Sequence, residues 1–209
     1  MSRGWRITDE DRFGPLTMVN AMRSFALGPN GDCYPITGRF LLFADGKIIA
    51  TIVKTSPDYA DFGEWEKTSG GGLRLTTVPD EPPYGDLFVR GGDVDIEPLP
   101  PRESVCNGTK TIPNVFGQEI ETARRIMRRA GWKAVPVQYS LDDLDTGAFG
   151  LRHYYGKGIT EVTTCEPHGW CEFGYRSGRA TALIYTQGGA VTSRDVDCEG
   201  RGLRVGIQS

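Results

Sequence analysis

Cys165, His168 and Cys171 stand at C-x2-H-x2-C in the heptapeptide CEPHGWC, the densest gathering of soft metal ligands in this chain of 209 residues. Zinc takes thiolates and imidazoles in a tetrahedron. The triplet is one ligand short, and Cys106 or Cys198 is the available supply. The competing chemistry is oxidation, with Cys165–Cys171 closing a hairpin over a Pro167-His168-Gly169 turn. The disulfide is preferred, because structural zinc sites usually show a second ligand pair in sequence. The five cysteines, Cys33, Cys106, Cys165, Cys171 and Cys198, form no CxxC and favour an oxidising compartment. Cys33–Cys106, and Cys198 with either hairpin cysteine, are further candidate pairings, and an odd count leaves one thiol over.

His153 and His168 are the two histidines, so a Ser-His-Asp or Cys-His site must use one of them. No Gly-x-Ser-x-Gly elbow is present. Carboxylates gather at Asp142, Asp143 and Asp145, and at Glu64 and Glu66. Glycosidic chemistry needs two carboxylates from separate elements across a cleft, which neighbours on one segment do not provide. No P-loop, dinucleotide fingerprint or EF-hand loop appears, so no cofactor is expected. Asn107-Gly108-Thr109 is a formal glycosylation sequon and also a turn dipeptide. Trp5, Trp65, Trp132 and Trp170 suit either a sugar-binding surface or core anchoring, with Trp132, beside a helix end, read as core.

The remaining charged constellation is a helix expected over about Gln118 to Ala130. Ile120, Ala123, Ile126, Met127 and Ala130 form its core-facing stripe, an arc of about 120°. Arg124, Arg125, Arg128 and Arg129 are read as the opposite, solvated face, with Glu121 pairing to Arg124 and Arg125. Gly131 fits a left-handed C-cap. These arginines suit an anionic partner through their planar forks. A formal charge of -3 and the lack of interleaved aromatics argue against nucleic acid.

The elements that position these groups fall in two halves. The first reads as β: RFLLFADGKIIATIVKT is a hairpin around Ala44-Asp45-Gly46, and GDLFVRGGDVDIEPL a second around Gly91-Gly92. Leu73 to Val78 alternates with period two. LTMVNAMRSFAL fits neither strand nor helix period cleanly. Pro98, Pro100 and Pro101 make a stiff connector. A boundary at about residue 105 gives a β-rich domain over 1–105 and a second domain over 106–209. The second is expected to be α+β, two helices on an antiparallel sheet. Its second helix lies within SLDDLDTGAFGLRHYYG, capped by Ser140 with Asp142 and Asp143 in the first turn. ITEVTTC, CEFGYRS and TALIYTQ follow as strands.

Ile112-Pro113-Asn114-Val115-x-Gly117, then Ala123, then Ala130-Gly131-Trp132, resembles the opening of a PASTA domain, over residues 112–137. The resemblance implies a bacterial, extracytoplasmic, non-catalytic module associated with cell-wall fragments or protein contacts. The usual Gly-x-Val-x-x-Gln-x-Pro continuation is absent. The expectation is therefore a non-catalytic binding or interaction protein of a bacterial envelope, periplasmic or secreted, disulfide-bearing, with an envelope protein or a cell-wall-derived ligand as partner. The alternatives are a hydrolase using His153 or His168 with nearby carboxylates, and a structural subunit of an assembly that pairs through β-edges. No apolar run reaches the roughly 20 residues of a membrane span. The start of the chain shows no export signal, which leaves either a signal removed earlier or a cytoplasmic protein.

Overall fold

The computed structural model describes residues 4–27, 33–53, 64–76, 81–140 and 150–199. The chain divides into two compact units, Met1–Pro79 with Tyr84–Pro98, and Asp80–Pro83 with Leu99–Ser209.

The first unit contains two antiparallel meanders. β1 (Arg6–Phe13), β2 (Leu16–Leu27), β3 (Cys33–Ala44) and β4 (Lys47–Ile52) pair in sequence order, as do β5 (Glu64–Lys67), β6 (Leu73–Thr76), β7 (Gly85–Arg90) and β8 (Asp93–Glu97). The β3–β4 turn places Asp45 at φ 49° and Gly46 at φ 73°, the twin left-handed residues that match strand twist in a two-residue hairpin. LTMVNAMRSFAL is strand β2. Its Leu16 and Met18 join Phe40, Leu42, Leu73, Leu75 and Leu87 in one core drawn from both meanders. Phe40 meets Trp65 edge to face at 5.2 Å. On β6, Arg74 is buried opposite Asp86 of β7, donating from Nε and Nη2 at 2.9 and 3.0 Å.

The second unit opens with the hairpin of β9 (Arg102–Val105) and β10 (Lys110–Pro113), which straddles residue 105. Its turn holds Cys106, Asn107 and Gly108 at positive φ. Then come α1 (Ile120–Arg129), β11 (Lys133–Ala134), α2 (Leu151–Gly156), β12 (Val162–Cys165), β13 (Trp170–Ser177), β14 (Ala180–Gln187) and β15 (Ala190–Asp197). The sheet runs β11-β13-β14-β15, with β12 also on β13.

α1 buries Ile120, Ala123 and Met127 against Phe173, Tyr175, Ile184 and Val191 of the sheet. Gly131, at φ 84°, ends it. Trp132 N–H binds Met127 O at 3.0 Å and Gly131 N–H binds Arg128 O at 3.1 Å. That is a Schellman closure, with Trp132 packing back on Met127. Trp132 is core, its indole donating to Thr111 O at 3.0 Å.

The architecture is mostly β, with 55% of the described residues in strands and 10% in helices. This overturns the α+β expectation of two helices layered on a sheet. α2 has six residues and its N-cap is Gly150, not Ser140, so it is too short to form a helical layer. Asp142, Asp143 and Asp145 lie outside the described residues.

Candidate functional site

The four helix arginines do not act together. At 100° per residue, Arg124 lies only about 40° from Ile120, at the border of the buried stripe and not opposite it. Its head turns inward. Nε and Nη2 reach Glu161 Oε1 and Oε2 at 2.6 and 3.1 Å, and Nη2 also donates to Gly158 O at 2.7 Å. Glu161 is fully buried and accepts a further bond from Tyr175 at 3.3 Å. Arg124 is thereby committed to structure. Glu121 pairs with Lys157 at 2.8 Å, not with Arg124 or Arg125, and Arg125 donates to Thr122. Arg128 and Arg129 stay exposed.

Arg128 instead shapes an open cleft of about 400 Å³ at the end of α1, together with Gly131, Trp132, Lys133, Pro136 and Thr160. The Gly131 turn and the short β11 place Lys133 at its rim. Lys133 lies directly opposite Arg176 of β13, and both are exposed. Like charges facing across a ladder cost on the order of 0.2–1 kcal/mol. Among the described residues no carboxylate pairs with Arg128, Lys133 or Arg176. The sequence reading missed Lys133 and Arg176, because their juxtaposition depends on strand register.

Cys165 and Cys171 are bonded to one another, and Cys106 to Cys198. Neither Cys33–Cys106 nor Cys198 with a hairpin cysteine forms. The zinc alternative, Cys165 with His168 and Cys171, is overturned as well, since oxidation removes both thiolates. Cys33 opens β3. The hairpin turn is as expected: Gly169 N–H binds Glu166 O at 2.9 Å and Glu166 N–H binds Trp170 O at 2.7 Å, with Gly169 at φ 90°.

His168 sits exposed on that turn, 3.0 Å from Glu166. His153 lies on α2 with its ring edge-on to Tyr154. Glu64 and Glu66 lie on β5 of the first unit, Glu66 being 3.7 Å from Arg74. Trp5 carries Arg39 over its ring at 4.8 Å. Asn107 of the sequon is exposed in its turn, where Thr109 Oγ1 binds Cys106 O.

The sheet has a second notable face. Cys171, Phe173 and Tyr175 of β13 point into the core, so Trp170, Glu172 and Arg176 point out. Register places Tyr185 of β14 opposite Glu172, and Leu183 opposite Asp195 of β15, on that same outer face. Trp170 stacks on Tyr185 with centroids 5.2 Å apart and planes 23° apart. Tyr185 Oη donates to Asp195 Oδ2 at 3.0 Å, and Thr163 Oγ1 donates to Glu172 Oε1. Burial first, then the charges of Asp195 and Glu172, hold the Tyr185 phenol above its ordinary range.

The two disulfides fit an extracellular location, and no described helix is long and apolar enough to cross a membrane. No family model, curated protein or solved structure matches the chain.

Proposed function

We propose that this chain is a non-catalytic binding protein of a bacterial envelope, periplasmic or secreted. Its second unit receives an anionic group of an envelope protein or a cell-wall-derived ligand at the exposed Lys133–Arg176 pair beside the cleft. The observation that carries the reading is the Lys133–Arg176 pair. Two like charges held opposite one another, with no described acid to offset them, are a local cost that a bound carboxylate or phosphate relieves. Arg128 also complements the negative end of α1, whereas Lys133 and Arg176 lie on strands and serve no helix dipole. The likeness of residues 112–137 to the opening of a PASTA domain supports the same class.

The test is fluorescence anisotropy with labelled hexaglutamate on the full chain. Lys133→Glu with Arg176→Glu should abolish binding, while Arg125→Glu should change it little. Binding of the parent should weaken as salt rises. Equal affinity in the parent and the double reversal would refute the Lys133–Arg176 pair as the anion site.

A further inference from the structure

The outer face of the second unit carries an arrangement that anion binding alone does not use. Trp170, Glu172 and Arg176 line up along β13, flanked by Tyr185 and Asp195. Lys133 stands beside Arg176 on the next strand. Aromatic rings and carboxylates therefore occupy one end of a strip, and two cations the other. Arg176 lies four positions after Glu172, about 13 Å at 3.3 Å per residue, a span of roughly two to three pyranose rings.

We infer that this strip is a subsite for an acidic oligosaccharide. One sugar ring stacks on Trp170, its hydroxyls donate to Glu172 and Asp195, and its acidic substituent reaches Lys133 and Arg176. The inference rests on the basic pair being an anion site.

Each half of the strip asks for different chemistry. A carboxylate offers about four lone-pair sites. Thr163 fills one on Glu172 and Tyr185 fills one on Asp195. Among the described residues no cation pairs with either. Neutral hydroxyl donors meet that surplus without a counter-charge. The C–H face of a pyranose suits the electron-rich face of an indole. A cationic ligand would also meet the acids, but its continuation along β13 runs into Arg176 and Lys133. A chain of hydroxyls ending in an acid is complementary to both ends.

The aromatic end is preorganised. Trp170 is braced by its stack on Tyr185. The turn before it is held by Gln187 Nε2 donating to His168 O at 2.9 Å, and by Gly188 N–H donating to Gly169 O at 3.1 Å. Less ordering is then left for the ligand to impose.

The experiment is calorimetric titration of the full chain with a panel of short oligouronates, each beside its own methyl ester, which keeps the sugars and removes the charge. At least one acid form should bind about tenfold more tightly than its ester at low salt, a gap of about 1.4 kcal/mol that closes at high salt. Trp170→Ala should weaken both forms by about tenfold, the scale of one lost aromatic contact. Arg176→Glu should erase the acid form's advantage and leave the ester unchanged. Near-ultraviolet dichroism checks that each variant is folded, and Trp170→Phe, which keeps a ring, should recover part of the affinity. If no member of the panel binds, or if Trp170→Ala leaves acid binding intact, the glycan assignment is wrong. Loss of hexaglutamate binding on Lys133→Glu with Arg176→Glu would then still uphold the anion site, whereas its persistence would remove both.

Discussion

Replacing Arg124 with alanine tests whether this arginine is structural. Glu161 has no exposed surface, and its carboxylate is held by two guanidinium bonds and one phenol. Removing one member of a buried ion pair typically costs 3–5 kcal/mol, because the other is left charged and unpaired. The Arg124 side chain keeps 19% exposure, so water can enter where it stood, and the lower end, about 3 kcal/mol, is expected. Glu161→Gln keeps the shape and part of the bonding and frees Arg124 to turn toward solvent, which should cost about 1–2 kcal/mol. Arg128→Ala, exposed and unpaired, should stay within about 0.5 kcal/mol. Amide hydrogen exchange on peptides covering α1 and β13 reads local opening directly. Arg124→Ala should speed exchange there on the order of 100-fold, since about 1.4 kcal/mol is a factor of ten. If Arg124→Ala and Arg128→Ala exchange alike, the claim that Arg124 is spent on internal structure fails.

Two further outcomes follow from the cross-links and from a surface pair. Cys106–Cys198 spans 92 residues and Cys165–Cys171 spans 6. In the chain-entropy picture they contribute about 4.5 and 2 kcal/mol, so serine replacement of the first pair should lower the urea midpoint of the second unit about twice as far as replacement of the second. Lys157, by hydrogen bonding, holds the Glu121 carboxyl below its ordinary value. A depressed folded pKa means the pair's contribution is present above the unfolded glutamate value and is lost as pH falls through the folded one. Both side chains are about half exposed, so Glu121→Gln should cost under about 1 kcal/mol near pH 7. Its melting curve should converge on the parent's below about pH 4.

Local chemistry was legible in the residues; lateral placement was not. Asp45-Gly46, Gly91-Gly92 and Gly131 announce their turns because few residues accept a left-handed backbone. The stripe of Ile120, Ala123 and Met127 announces α1. The direction of Arg124 was misjudged although the helical angle sets it beside Ile120, and its partner Glu161 is 37 residues away. The strand character of β2 was obscured because Leu16 and Met18 face the core while Val19 and Ala21, on the opposite parity, are also buried, which blurs the alternation. The pairing of Lys133 with Arg176, and of Tyr185 with Asp195, depends on register across separate strands. Period two places Trp170, Glu172 and Arg176 on one side of their strand, but not which neighbours lie alongside.

The bond from Cys106 to Cys198 also decides how the second unit meets a pulling force. Tension arriving before Cys106 passes through sulfur to Cys198 and leaves by the chain that follows. α1, the sheet and the outer strip all lie within the bypassed loop. A chain tethered at one end and tugged at the other would stretch its flanks while this loop stayed slack and folded, until a reductant opened the link.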